Sequence, residues 1–232
     1  RYLRELIRQR YPVEFFIKGG RTRSGKLLVP RVGVLGMVLE ASEIRRRGKE
    51  VTILPMSLAY EQVAEEGVYV RELGGVDKAP ETVGQLVRAS SVLRHRYGRV
   101  YLRVGEPLKC SDLVDEPAWS GRGADEKRTE LYRIGERIMH RIGEATVLLP
   151  TSLVALGLLA HHRRGISQTL LVERIRRFRV FLSAYGMLEA ASMSRFDESV
   201  QDALRRFWKA GHIESFENDG ERIWGIVPER RI

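Results

Sequence analysis

The residues best suited to chemistry follow an apolar run near the start of the chain. Residues 13–17 are apolar apart from one glutamate, and they lead into Gly19 and Gly20. Three cations follow within six residues, namely Arg21, Arg23 and Lys26. Glycines let a backbone approach a ligand closely because they carry no Cβ. Arginine offers a planar, bidentate donor fork and lysine offers a point charge. The segment therefore predicts an anion site, and phosphate is the anion that it favours.

Residues 20–26 also fit G-x-x-x-x-G-K, the phosphate-binding loop of nucleotide hydrolases. In that motif the next residue is Ser or Thr, which holds a magnesium ion, whereas Leu27 stands here. No apolar strand that ends in an obvious magnesium-binding Asp follows. A nucleotide hydrolase is therefore disfavoured.

Apolar patterns around this segment predict a βαβαβ order. The predicted strands cover 13–17, 51–59 and 100–104, and the predicted helices cover 32–47 and 80–97. This order predicts an α/β fold with a partly parallel sheet and flanking helices. Pro55 demotes the second strand to an edge or bends its end. Ligands bind at the carboxyl ends of such strands, so the loops near Lys18, Tyr60 and Gly105 could converge.

A polar connector at 111–126 marks a domain boundary, which we place between residues 1–115 and 116–232. The second part has helical periodicity and ends in a β-hairpin with an Asp219-Gly220 turn. Residues 145–160 are nearly uncharged, but a bilayer span takes ~20 apolar residues. We therefore predict a buried core helix there.

The charge is concentrated near the glycine-rich segment. The chain carries a formal charge of +10, and residues 1–50 hold 13 Lys and Arg against 5 Asp and Glu. An anionic partner is favoured, such as a phosphorylated metabolite, a CoA-type cofactor, a nucleic acid or an anionic lipid surface. Cys110 is the single cysteine, which rules out an internal disulfide and indicates a reducing compartment. The histidines show no metal-ligand spacing. Because the first residue is Arg1, we expect a piece of a longer protein.

Three ordered motifs resemble bacterial glycerol-3-phosphate acyltransferases. Residues 13–30 are similar to that family's second conserved block, residues 53–61 to its third, and residues 104–107 to its fourth. The helical remainder resembles the family's C-terminal region. The likeness covers most of the chain and implies a glycerolipid acyltransferase-like fold.

The resemblance implies transfer of a fatty acyl group to the 1-hydroxyl of glycerol 3-phosphate, the first step of phospholipid synthesis. The acyl donor would be acyl-CoA or acyl carrier protein, a substrate rather than a bound cofactor, and no metal is implied. The expected location is peripheral, on a membrane surface at the cytoplasmic face of the bacterial inner membrane. No nucleic-acid partner is expected.

The resemblance also assigns roles to residues. Arg21 and Arg23, supported by Lys26 and framed by Gly20, would hold the glycerol phosphate. Tyr60 and Glu61 would shape the acyl-acceptor pocket. The structural positions of the motifs are Gly19, Pro55, Glu106 and Pro107.

Two departures stand beside the resemblance. The family's first block, H-x-x-x-x-D, supplies a His general base oriented by an Asp, and no histidine here has Asp five residues later. We expect that block upstream of Arg1, so this chain alone should be inactive. Lys18 occupies a position where the family usually has Glu. Lys18 either strengthens the attraction of the site for phosphate, or it replaces the Glu that helps to set the active site.

Two alternatives remain open. Residues 165–227 have the outline of a winged helix and the pI is about 10, as in nucleic-acid-binding modules. Against this, the charge excess lies in the first fifty residues. The other alternative is a non-catalytic relative, in which Lys18 marks lost chemistry.

Overall fold

The computed structural model describes residues 2–19, 27–45, 50–62, 98–114 and 118–228. The helices are α1 (Tyr2–Arg8), α2 (Val32–Arg45), α3 (Cys110–Leu113), α4 (Ala118–Gly121), α5 (Ala124–Glu144), α6 (Pro150–Leu159), α7 (Gln168–Ala184) and α8 (Phe196–Lys209), with a 3₁₀ turn at Ala191–Arg195. The strands are β1 (Thr52–Ile53), β2 (Met56–Tyr60), β3 (Val100–Val104), β4 (Leu108–Lys109), β5 (Val147–Leu148), β6 (Ile166–Ser167), β7 (Leu188–Glu189), β8 (Ile213–Asn218) and β9 (Glu221–Ile226). The predicted mixed α/β class is confirmed.

Several predicted elements are present near their expected bounds. Strand β3 coincides with the predicted 100–104, and α2 covers the described part of the predicted 32–47. The predicted strand 51–59 is interrupted at Pro55, which is fully buried between β1 and β2. A proline lacks the N–H that a sheet ladder needs, so the strand is interrupted at Pro55, the residue at which the sequence predicted a disturbance. The predicted helix 80–97 lies outside the described residues.

The predicted strand at 13–17 is wrong. Residues 11–16 form no regular element and Ile17 begins a turn. The apolar side chains are nevertheless used, because Ile17 is buried and Phe15 packs against the same core. Burial in a helical core thus explains the apolar run, which periodicity alone could not separate from a strand.

The predicted parallel pairing of the early strands is not found among the described residues. Strand β1 pairs with β4 antiparallel. Strands β2 and β3 pair with each other, and their end hydrogen bonds, Glu61 N to Arg99 O and Gly105 N to Pro55 O, give opposite directions. In the described residues, parallel pairing occurs between β5 and β7, later in the chain.

The chain divides into two compact units. The first comprises residues 1–57 and 102–145, and the second comprises residues 58–101 and 146–232. Both units therefore draw on two stretches of sequence. The predicted domain boundary at 115/116 stays a prediction.

Helices α2 and α5 form the centre of the first unit, and α1 packs on α2. Its buried side chains include Leu35, Leu39, Ile134 and Ile138. A Cβ at Gly135 would lie 2.9 Å from Pro30 Cγ. The absence of a side chain at Gly135 therefore lets α5 approach the chain just before α2.

Helices α6, α7 and α8 enclose the core of the second unit, and the three-stranded sheet β6-β9-β8 completes it. The order α6, β6, α7, α8 and hairpin, with β7 and the 3₁₀ turn between α7 and α8 and with β9 in the middle of the sheet, has the outline of a winged helix. The hairpin turn has positive φ at Asp219 (51°) and Gly220 (77°). This pattern is typical of a tight hairpin turn of the kind that the sequence predicted.

The uncharged run at 145–160 forms β5 and α6, and it supplies core residues Leu153, Val154 and Leu158. The prediction of a buried core helix is confirmed. Within the described residues, no helix combines the length and the apolarity needed to span a membrane.

Candidate functional site

The chain on the two sides of the cationic segment meets at a hydrogen-bonded base. Arg31 N donates to Ile17 O at 2.7 Å, and Gly19 N donates to Phe16 O at 2.8 Å. Ile17 and Pro30, at the two ends of the base, are both buried. The described residues on the two sides of the cationic segment are therefore held together by hydrogen bonds and by the core.

Gly19 is required at this base for two reasons. Its φ is +65°, in the left-handed region that favours glycine, and a Cβ there would overlap Cδ of Arg31. Lys18, immediately before it, is half-buried in the turn. The predicted phosphate ligands, namely Gly20, Arg21, Arg23 and Lys26, lie outside the described residues, so their role stays a prediction.

The third and fourth motifs meet within the first unit. Gly105 N donates to Pro55 O at 2.7 Å, and a Cβ at Gly105 would lie 3.3 Å from Arg141 O. Glu106 and Pro107 are exposed and join β3 to β4. Pro55 thus meets the start of the Gly-Glu-Pro turn, which suits a structural role for that turn.

Tyr60 and Glu61, predicted as a pair, face opposite sides of the chain in the second unit. Tyr60 is 43% exposed, whereas the side chain of Glu61 is 11% exposed. Successive residues of an extended chain point to opposite faces. Ala59 therefore shares the face of Glu61, and it packs against the core.

Glu61 is held by a group on β3, by the residue just before β3 and by a group on α8. Its Oε1 lies 3.1 Å from the Tyr101 hydroxyl, and its Oε2 accepts from Arg99 N at 3.2 Å. Arg206 Nη2 lies 3.6 Å from Oε2. The Tyr101 hydroxyl is also 3.0 Å from Ser192 Oγ. The carboxylate is thus the centre of a network inside the second unit.

Gly98 leaves room for this network. A Cβ there would lie 2.7 Å from Glu61 Oε2 and 2.9 Å from Arg206 Nη1. The φ of Gly98 is +81°, a conformation that favours glycine. Any side chain at residue 98 would be strained and would press on the ion pair.

The single cysteine is not placed for nucleophilic chemistry. Cys110 is 3% exposed and its backbone N–H donates to Val51 O. Burial, partly offset by a hydrogen bond with Ser42, raises the pKa of the Cys110 thiol to about 11. Because the thiolate is the nucleophile, a raised pKa lowers reactivity.

Labelling of Cys110 with iodoacetamide should therefore be slow in the folded protein. A rise in pKa from 9.0 to about 11 lowers the thiolate fraction about 100-fold in mildly alkaline solution. Mass spectrometry over time, with and without urea, would measure the labelling rate. Equal rates in the folded and unfolded protein would contradict the burial of this thiol.

Comparison with known proteins shows to which family the chain belongs. A family model described as the glycerol-3-phosphate acyltransferase C-terminal region matches residues 69–232, more than half of the chain. The chain belongs to the glycerol-3-phosphate acyltransferase family. The resemblance noted from the three motifs is confirmed.

Individual members of the glycerol-3-phosphate acyltransferase family are similar over most of this chain. The enzyme so named in Pseudomonas entomophila is 34% identical over 175 residues, which are 72% of this chain and 21% of that protein. The one in Pasteurella multocida is 31% identical over 230 residues, 96% of this chain and 28% of that protein. The one in Actinobacillus succinogenes is 32% identical over 187 residues, 78% of this chain and 23% of that protein. The chain thus spans about a fifth to just over a quarter of these relatives.

Sequence reasoning missed two residues that contact Glu61 and one that contacts the first of these two. They are Tyr101, Ser192 and Arg206, which lie on β3, in the 3₁₀ turn and on α8. Strand alternation could have placed Tyr101 on the inner face of β3. Nothing in the sequence links Ser192 or Arg206 to Glu61, because folding alone brings them near it.

Proposed function

We propose that the complete protein transfers a fatty acyl group to the 1-hydroxyl of glycerol 3-phosphate. This chain would carry part of the acceptor site. The observation that carries the proposal is the hydrogen-bonded base that joins the two sides of the cationic segment, in a member of the glycerol-3-phosphate acyltransferase family. The names of the relatives support the same substrate.

The cations of the loop would bind the phosphate of the acceptor. Arg21 and Arg23 can each offer two parallel N–H donors to phosphate oxygens, and Lys26 adds a charge. Gly20 lets the backbone come close to the ligand. The hydrogen bond between Ile17 and Arg31 would lower the entropy cost of ordering the segment on an anion.

The chemical step needs a base that removes the proton from the acceptor hydroxyl. The hydroxyl oxygen would then attack the thioester carbonyl of acyl-CoA or acyl carrier protein, and the thiol would leave. No H-x-x-x-x-D sequence occurs in these 232 residues. We therefore assign the base to another part of the complete protein, and we assign no cofactor or metal to the reaction.

Exposed side chains at the end of the β2–β3 pair suit a wall of the acyl-acceptor pocket. In the second unit, Leu58, Tyr60 and Val100 are 51%, 43% and 55% exposed. Residues 58 and 60 alternate with core-facing Ala59. Tyr60 would thus face the substrate. The complete protein would have a glycerolipid acyltransferase-like fold, in which other parts of the protein complete a partly parallel sheet.

We also propose a peripheral position on the cytoplasmic face of the bacterial inner membrane. The net charge of +10 supports attraction to anionic lipid. The complete protein should sediment with phosphatidylglycerol vesicles at low salt and less with phosphatidylcholine vesicles. Equal sedimentation with both lipids at all salt concentrations would contradict the electrostatic part of this proposal.

An assay of the complete protein with Lys18 and with Lys18→Glu tests the acyltransferase proposal. We expect the natural protein to acylate glycerol 3-phosphate, because Lys18 adds a cation beside the phosphate loop. Lys18→Glu should raise the KM for glycerol 3-phosphate about tenfold, since one charge–charge contact near a protein surface is worth roughly 1 kcal/mol or more. Initial rates against glycerol 3-phosphate concentration provide the measurement.

Two other results would change the interpretation. Activity confined to Lys18→Glu would mean that the pocket is right and that Lys18 disables it, as in the non-catalytic alternative. Inactivity of both proteins, together with no binding of glycerol 3-phosphate at high concentration, would overturn the proposed function.

Nucleic-acid binding is not favoured, although the second unit has a winged-helix arrangement. Fold alone does not define function. Cations on and around α8 are paired with acids, including Arg176 with Asp197 and Arg205 with Asp202. Paired arginines are less available to phosphates, and the family match points to a different substrate.

A further inference from the structure

Glu61 connects the end of β2 to the helical core of the second unit. Its backbone N–H donates to Arg99 O at 3.1 Å, while its Oε2 accepts from Arg99 N at 3.2 Å. These two bonds close the end of the β2–β3 pair. A carboxylate that is 11% exposed and already bonded in this way has little free surface for a substrate.

The third helix of the winged-helix arrangement supplies the countercharge. Arg206 lies on α8, two positions after the fully buried Leu204, and its side chain is 31% exposed. Its guanidinium lies 3.6 Å from Glu61 Oε2. Partly buried ion pairs are screened less than exposed ones, so removal of one partner has a larger effect. The position of α8 is therefore coupled to that of Glu61.

A second connection runs through two hydroxyl groups. Ser192 is 7% exposed, and its carbonyl oxygen accepts from Ser199 Oγ on α8 at 2.7 Å. The Tyr101 hydroxyl lies between Ser192 Oγ and the Glu61 carboxylate. Because a phenol has one proton, Tyr101 can donate to Glu61 while Ser192 donates to Tyr101. Every member then has a partner, as a buried polar network requires.

Tyr60, the residue before Glu61, connects this network to the proposed acceptor pocket. Tyr60 points away from the core and is 43% exposed. Movement of the Glu61 carboxylate would displace the backbone that carries Tyr60, since the two residues are joined by one peptide bond. Small displacements of groups around a reacting centre can lower rates by orders of magnitude.

We propose that Glu61 is a positioning residue and that Tyr101, Ser192 and Arg206 orient it. Through this network the C-terminal helical core sets the position of Tyr60 in the acceptor pocket. The inference rests on the proposed function, and it assigns Glu61 no contact with substrate. It also gives the C-terminal region a defined role in acyl transfer, namely to hold the end of the third motif.

The experiment compares Glu61→Gln, Tyr101→Phe and Arg206→Ala in the complete protein. Each change should lower kcat about tenfold and leave the KM for glycerol 3-phosphate within about twofold, since phosphate is bound elsewhere. Arg206→Lys should recover part of the loss. The double variant of Glu61→Gln with Tyr101→Phe should be no worse than the more severe single variant, because both changes break one network.

Two control variants separate positioning from general effects. Arg205→Ala removes the neighbouring exposed arginine, which pairs with Asp202 instead, and it should leave kcat unchanged. Ile213→Val trims a buried core residue at a cost of about 1 kcal/mol. It should lower the melting temperature without lowering kcat. A loss of kcat in Ile213→Val equal to that in Tyr101→Phe would overturn the positioning role.

Hydrogen exchange gives a measurement that does not depend on activity. The amides of Glu61 and Arg99 should exchange faster in Tyr101→Phe and Arg206→Ala than in Arg205→Ala. If the natural protein shows no acyl transfer but this exchange pattern appears, the proposed function fails and the network stands. If the protein is active but exchange and kcat are unchanged in these variants, the positioning role fails. Additive losses in the double variant, with a raised KM for Glu61→Gln alone, would also overturn it by indicating direct substrate contact.

Discussion

Replacement of Arg23 by Ala in the complete protein should raise the KM for glycerol 3-phosphate about 100-fold. A hydrogen bond to a charged group contributes about 1.5–3 kcal/mol, and a bidentate guanidinium–phosphate pair lies at the upper end of that range. Each 1.4 kcal/mol corresponds to a tenfold change in binding. Steady-state kinetics with glycerol 3-phosphate as the varied substrate would measure the effect. The concentration of the acyl donor is held near saturation.

Arg23→Lys distinguishes geometry from charge. Lysine keeps the positive charge but not the planar fork, so its KM should lie between those of the natural protein and Arg23→Ala. Arg8→Ala serves as the matched control, because Arg8 is exposed on α1 and pairs with Glu5. A KM for Arg23→Ala equal to that of Arg8→Ala would exclude the loop as the phosphate site.

Replacement of Leu204 by Ala should cause a large loss of stability in the second unit. Leu204 lies on α8 with no exposed surface, inside the cluster that also contains Leu171 and Ile175. Truncation of a buried leucine costs about 2–5 kcal/mol, from lost apolar burial and from the cavity that remains. Urea unfolding, followed by circular dichroism, would measure the change in the free energy of unfolding.

Leu159→Ala is the matched control for this prediction. Leu159 ends α6 and is 54% exposed, so the same truncation there should cost under about 1 kcal/mol. Equal losses from the two variants would mean that α8 does not pack into the core as described. Leu204→Ala should also lower the measured rate in proportion to the fraction of protein that is unfolded at the assay temperature.

Local sequence signals determined much of the chain. Residues 100–104 form a strand because β-branched and aromatic residues dominate the run. The Asp219-Gly220 pair forms the hairpin turn because both positions have positive φ, which Asp and Gly tolerate best. Pro55 interrupts its strand because it lacks an N–H. Each of these outcomes depends on a few neighbouring residues, so one sequence suffices to predict it.

Motif residues also determined the family, which the comparisons then confirmed. Here the information lies in the order and spacing of three blocks, and folding adds nothing to it. The loop cations Arg21, Arg23 and Lys26 belong to this class of inference, and their role awaits the kinetic test.

Only the tertiary structure decided how the apolar run at 13–17 and the pair Tyr60–Glu61 are used. The run lacks a strand partner among the described residues and is buried against helices instead, since hydrophobic burial does not specify the kind of neighbour. Tyr60 and Glu61 look alike as motif residues, yet one is exposed and the other is bonded to Tyr101 and Arg206. Those partners are 40 and 145 residues away in sequence, and only the tertiary fold brings them to Glu61.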